Sequence, residues 1–221
     1  MSNISISIKL LESDSIIRNK ILRGIVKDIN RAIPPILNNV KQQLKIETIK
    51  FFQNTEAYQS LLSGDLAAHF GIPILNRRNN LNIILETIGN NIEVTYKPIK
   101  IQAGNFTNGL TIEVLLSDLS DILALPQAVI ITEKGDLLEW LSWLLTAGDK
   151  IIIRQYEIDL VEGEGRSGGG VMIESATGVW RVPPEFSGSV LNNWLTKALL
   201  LNADAYLSII DNILKKELKG I

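Results

Sequence analysis

Three groups of residues have types and spacing that could do chemistry. The first is the glycine run Gly168-Gly169-Gly170, which follows Arg166-Ser167 in "GEGRSGGGVMIES". Glycine-rich loops cradle phosphates when their backbone amides open a helix and a lysine with a hydroxyl follows the last glycine. Here "VMIES" follows, which reads as a strand, and no lysine is present. Neither the phosphate loop nor the dinucleotide fingerprint is met, and the run reads as the adaptable tip of a hairpin. The second is His69, the single histidine, in "DLAAHFGIP". An imidazole triad needs a nucleophile and an orienting carboxylate, and the sequence singles out neither. The third is the pair Asp118 and Asp121 in "SDLSDI". Paired carboxylates can serve hydrolysis or hold a metal, but aspartates at a helix start also meet orphan backbone amides, and capping is the preferred reading.

These residues must be carried by elements that the hydropathy pattern supplies. "NISISIKL" at 3–10 alternates and reads as a strand. Residues 14–53 carry two helical stripes, Ile17, Ile21, Ile25 and Ile29, then Ile36, Val40, Leu44 and Thr48 or Phe51, with a break at Pro34-Pro35. Short helical turns are expected over 54–73 and a helix over 78–89. Residues 91–101 and 109–116 read as a hairpin, and "SDLSDILALP" as a capped turn. "AVIIT" reads as a short strand, after which Asp136 is expected to cap a helix closed by Gly148. Strands at 149–160, 171–174 and 178–182 and helices near 187–200 and 203–217 complete the chain. The order predicts an α+β fold. A mostly antiparallel sheet packs against a long N-terminal helical region, with C-terminal helices and an extended hairpin arm. Residues 1–221 form a single domain, and 161–186 a protruding glycine-rich arm and hairpin.

Composition narrows the function classes. The 221 residues are 46% hydrophobic and carry a net charge of −2. This supports a packed core and does not favour a nucleic-acid binder, which shows a basic surplus or stripe. With no cysteine, disulfides, thiolate metal sites and cysteine nucleophiles are excluded. No basic-then-apolar leader and no spanning apolar run is legible, so a cytoplasmically made, membrane-free protein is expected. No cofactor or metal is expected. Trp140 and Trp143 lie on one helix face and read as core; for Trp180 core and interface stay open.

"GDLLEWLSWLLTAGDKIII", "RSGGGVMIE" and "WRVPPEFSGSVLNNWLTKAL" resemble the neck proteins of tailed bacteriophages, which join head to tail. The resemblance is carried by Trp180, Arg181, Val182, Pro183, Phe186, Gly188 and Asn193. Ser63, Gly64 and Leu66 in "SLLSGDLAAHFGI" resemble the tail-completion group. It implies a homo-oligomeric ring, commonly of about six subunits, stacked against portal-adaptor and tail proteins in the virion, with DNA passing through without specific binding. Under it the subunit contacts fall on Arg166, Gly168, Gly169, Gly170, Trp180, Arg181, Pro183, Pro184, Phe186 and Asn193. Deletion of Gly168–Gly170, or Trp180→Ala, is then expected to leave a folded subunit that joins heads to tails poorly. The alternatives are a terminator ring capping the tail tube, a carboxylate-dependent hydrolase, and a transient assembly factor.

Overall fold

The computed structural model describes residues 12–114 and 119–219, so the strand expected at 3–10 and the carboxylate Asp118 lie outside the described residues. Helix α1 (Asp14–Ala32) runs into a single 3-10 turn, Pro34–Ile36, and then α2 (Leu37–Gln53). The proline pair interrupts the helix without reversing the chain, because Ile33 stays in the right-handed region before Pro34. On α2 the apolar stripe faces inward, burying Val40, Leu44, Thr48 and Phe52. On α1 no residue is fully buried, and Ile21 and Ile25 of the expected stripe are 57% and 45% exposed.

Two short helices and a longer one follow. Thr55 caps α3 (Glu56–Ser63) by accepting from the Tyr58 amide at 3.2 Å. The chain then turns tightly at Gly64 into α4 (Asp65–His69). A Cβ on Gly64 would lie 2.9 Å from Ser60 Cα, so only glycine fits this turn. Helix α5 (Arg77–Asn90) packs on α2.

The class is α+β, but its strands divide among three two-stranded antiparallel ladders rather than one sheet. Strands β1 (Glu93–Gln102) and β2 (Asn105–Glu113) turn at Ala103-Gly104, so most of the expected loop is strand. Asn30 of α1 grips this hairpin beside its register shift. Its side-chain oxygen accepts from the Ile99 amide at 2.8 Å and the Tyr96 hydroxyl at 2.5 Å, while its amide donates to the Ile99 carbonyl at 3.0 Å. Helix α6 (Ser120–Leu123) follows, then β3 (Ile130–Ile131) paired with β4 (Leu137–Leu138). Asp136 therefore does not cap the next helix. Its amide donates to Thr132 Oγ1 at 3.0 Å, which closes the β3–β4 turn, and α7 (Trp140–Thr146) begins later.

Strand β5 (Ile153–Asp159) pairs with β6 (Val171–Trp180), which joins the two strands expected at 171–174 and 178–182 across an irregularity. Helices α8 (Trp194–Leu201) and α9 (Ala203–Glu217) end the described chain. The main core gathers Phe52, Phe70, Trp140, Leu144, Trp180 and Leu195 among others. A second cluster, Val40, Leu44 and Ile92, lies under α9 and the β1–β2 hairpin. There Tyr206 and Thr48 hydroxyls meet at 2.7 Å, and burial pushes the Tyr206 phenol up to about 12.

Candidate functional site

The glycine segment does not project. It forms a compact loop at the end of the β5–β6 hairpin and folds back onto the body. Within it Gly163 donates to the Gly168 carbonyl at 2.9 Å and Gly170 to the Glu164 carbonyl at 3.2 Å. A Cβ on Gly165 would sit 2.1 Å from the Gly170 oxygen, and one on Gly170 would sit 2.6 Å from the Asp159 oxygen. The glycines are thus required by close backbone approach. The loop is held from below by Arg77, which is buried. One guanidinium nitrogen donates to the Ser167 carbonyl at 2.7 Å and the Ile72 carbonyl at 2.5 Å; the other reaches the Leu62 carbonyl at 3.2 Å. Burial lowers the Arg77 pKa, but a guanidinium stays charged in proteins. The Ile74 amide adds a bond to the Arg166 carbonyl at 3.3 Å. Sequence reasoning missed Arg77, because one arginine beside another in "NRRNN" carries no sign of which is buried.

Part of the site expected from sequence, Arg166, the glycine run and Trp180, gathers around α4 and the residues just after it. The exposed Arg166 side chain lies over Gly71, whose added Cβ would be 2.9 Å from the guanidinium. Gly168 faces Ile74 and Gly169 faces Ala68. Trp180 is interior, at 3% exposure, with its ring 5.8 Å from both Phe70 and Trp143. Its indole N–H donates to His69 Nδ1 at 3.2 Å. That bond assigns the neutral imidazole with its proton on Nε2. Burial holds His69 below its ordinary pKa, against the opposing pull of Asp65 and Glu185. Trp180 therefore belongs to the core rather than to a free contact surface. Trp180→Ala will damage the fold and does not act as a clean test of joining, and the docked loop argues the same for deletion of Gly168–Gly170.

Beyond Trp180, Arg181 and Pro184 are exposed, while Pro183 and Phe186 are half-buried. Asn193 is completely buried. Its oxygen accepts from the Leu195 and Thr196 amides at 3.0 and 3.1 Å, and Thr196 Oγ1 accepts from the Asn193 amide at 2.9 Å. This reciprocal cap starts α8 at Trp194, later than the sequence pattern suggests. The Asn193 side-chain nitrogen, Nδ2, also donates to the Ser189 and Val190 carbonyls at 3.1 and 3.3 Å. Asn193→Ala is expected to cost about 2–3 kcal/mol, from the lost cap and the orphaned turn. Asn193→Asp keeps the cap acceptor but sets a buried carboxylate oxygen against the Ser189 and Val190 carbonyls, so urea denaturation should show a loss at least as large as that of alanine.

A cleft of about 510 Å³ opens between α4, the β3–β4 turn and the β5–β6 hairpin. His69, Trp143, Tyr156, Arg166, Met172 and Trp180 line it, with Glu133, Lys134 and Asp136 at the β3–β4 side. His69 is the imidazole there, and its Nδ1 is occupied by Trp180. Among the described residues no group of three or more His, Cys, Asp or Glu side chains could hold a metal. No helix among the described residues is long and apolar enough to cross a membrane. No family model, curated protein or solved structure matches the chain.

Proposed function

We propose that this chain is a structural subunit of the head–tail neck of a tailed bacteriophage. Roughly six copies close a ring that joins the head connector to the tail and surrounds the DNA passage. The observation that carries the reading is uncovered surface: the 19-residue helix α1 has not one fully buried residue. Such an element is poorly stabilised alone, because helix stability in proteins comes mainly from packing one face. A neighbour that covers α1 supplies the missing contacts. The near-neutral net charge of −2 suits a wall that lets DNA slide, since tight binding needs many cationic phosphate contacts.

The test is the mass of the purified chain by light scattering, with negative-stain images of the same sample and of purified virions carrying a tagged copy. Rings in solution, and label at the head–tail junction, are the expected results. A monomer absent from virions overturns the reading.

A further inference from the structure

Charge on this chain is segregated in a way the total conceals. Lys20, Arg23, Lys27 and Arg31 on α1 are all exposed and stand at i, i+3, i+7 and i+11. At 100° per residue they fall within about 80° of the helix circumference, over a length of about 16 Å. Lys20 pairs with Glu12. Arg23, Lys27 and Arg31 have no ion pair among the described residues, although like charges four apart repel. Of the exposed isoleucines, Ile16 lies within the stripe, whereas Ile21 and Ile25 stand about 120° and 160° round the helix from its centre.

The opposite character marks the outer face and tip of the β5–β6 hairpin. Glu157 pairs across the ladder with Ile173, and Asp159 with Val171. Paired residues share a face. The inner partners Ile158 and Met172 pack on the core. Glu162 and Glu164 continue the acidic run into the glycine loop, and these four carboxylates are exposed and without ion pairs among the described residues. Arg154 and Arg166 are the cations of this region. Leu160 and Ile173 supply exposed apolar surface, at 47% and 38%.

We infer that α1 of one subunit docks on the outer β5–β6 face of the next copy, with Arg23, Lys27 and Arg31 meeting Glu157, Asp159, Glu162 and Glu164. The steps agree: cations four apart on a helix are about 6 Å apart along its axis, and carboxylates two apart on a strand about 7 Å. A phosphate backbone would satisfy the cations but leave Ile16 of the same face in water, whereas the hairpin offers both charge and apolar surface. Because the two patches differ, the contact is head-to-tail and repeats around a closed ring. This inference rests on the ring reading and names the surfaces that close it.

The experiment uses the full chain, with sedimentation at about 0.1 M and about 1 M salt, where exposed ion pairs are progressively screened. Two variants reverse one patch each: Lys27→Glu with Arg31→Glu, and Glu157→Lys with Asp159→Lys. All four sites are exposed, and circular dichroism checks that folding is kept. Each variant alone is expected to associate at least about tenfold more weakly, because like charges then face each other. An equimolar mixture should recover the wild-type mass, since every α1 then meets a complementary hairpin in an alternating ring. Wild-type rings that persist in both variants overturn the inference and leave the ring reading standing. Failure of the mixture to recover, with duplex DNA bound by wild type and lost on Lys27→Glu with Arg31→Glu, assigns the stripe to DNA and overturns it too. A wild-type chain that stays monomeric overturns the inference, and if it is also absent from virions it overturns the ring reading as well.

Discussion

Arg77→Ala is expected to lower stability by about 3–5 kcal/mol. The guanidinium gathers the carbonyls of Leu62, Ile72 and Ser167. They come from the end of α3, the segment after α4 and the glycine loop, so one side chain ties the α3–α5 region to a loop ninety residues away in sequence. Alanine leaves these acceptors facing a void, and each buried unsatisfied group costs about 1–3 kcal/mol. Lysine cannot replace the planar fork, because a single ammonium does not span the same three oxygens. Arg77→Lys should therefore recover only part of the loss. Urea denaturation measures the stability. Limited proteolysis measures the loop, and cleavage within 161–170 should accelerate well before global unfolding. An Arg77→Ala protein with wild-type stability and an intact loop would show that the loop is held by other means.

What was legible in the sequence follows from which residues speak locally. Pro34-Pro35 announces its own interruption, because ring geometry acts on the residue itself and its neighbour. The Val40, Leu44 and Thr48 stripe and the β1–β2 hairpin follow from period alone. The glycine loop was misleading because glycine permits two opposite uses. Free glycines make a supple arm, whereas Gly165 and Gly170 allow backbone to touch backbone. Only the position of Arg77, far away in sequence, decides between them. Asp136 shows the same limit. It has the chemistry of a helix cap, yet Thr132 four residues earlier captures it in a turn. Trp180 and Asn193 stood out as special residues, and they are, but they serve the interior. The exposed α1 and hairpin charges were visible as letters. Their opposition became visible only once the fold put one on a bare helix and the other on an outer face.

Trp180→Ala is expected to cost about 3–5 kcal/mol, because it empties a large cavity beside Phe70 and Trp143. Trp180→Phe separates packing from hydrogen bonding: it keeps an aromatic ring and removes the N–H that His69 Nδ1 accepts. The separation is readable through pH. Burial depresses the folded-state pKa of His69 below its unfolded value of 6.5. Below that value the unfolded chain takes up a proton that the folded chain refuses. Stability from this site is thus fully present above pH 6.5 and is lost as pH falls through the folded pKa. Wild type should therefore weaken on mild acidification, and His69→Gln should remove that slope. In Trp180→Phe the imidazole no longer faces a donor, so protonating Nδ1 costs less and the slope should shrink while the packing loss stays modest. If His69→Gln and wild type lose stability in parallel between pH 7 and pH 5, as read by urea denaturation, the acid sensitivity lies elsewhere. The His69–Trp180 pair would then be a spacer for the core rather than its titrating element.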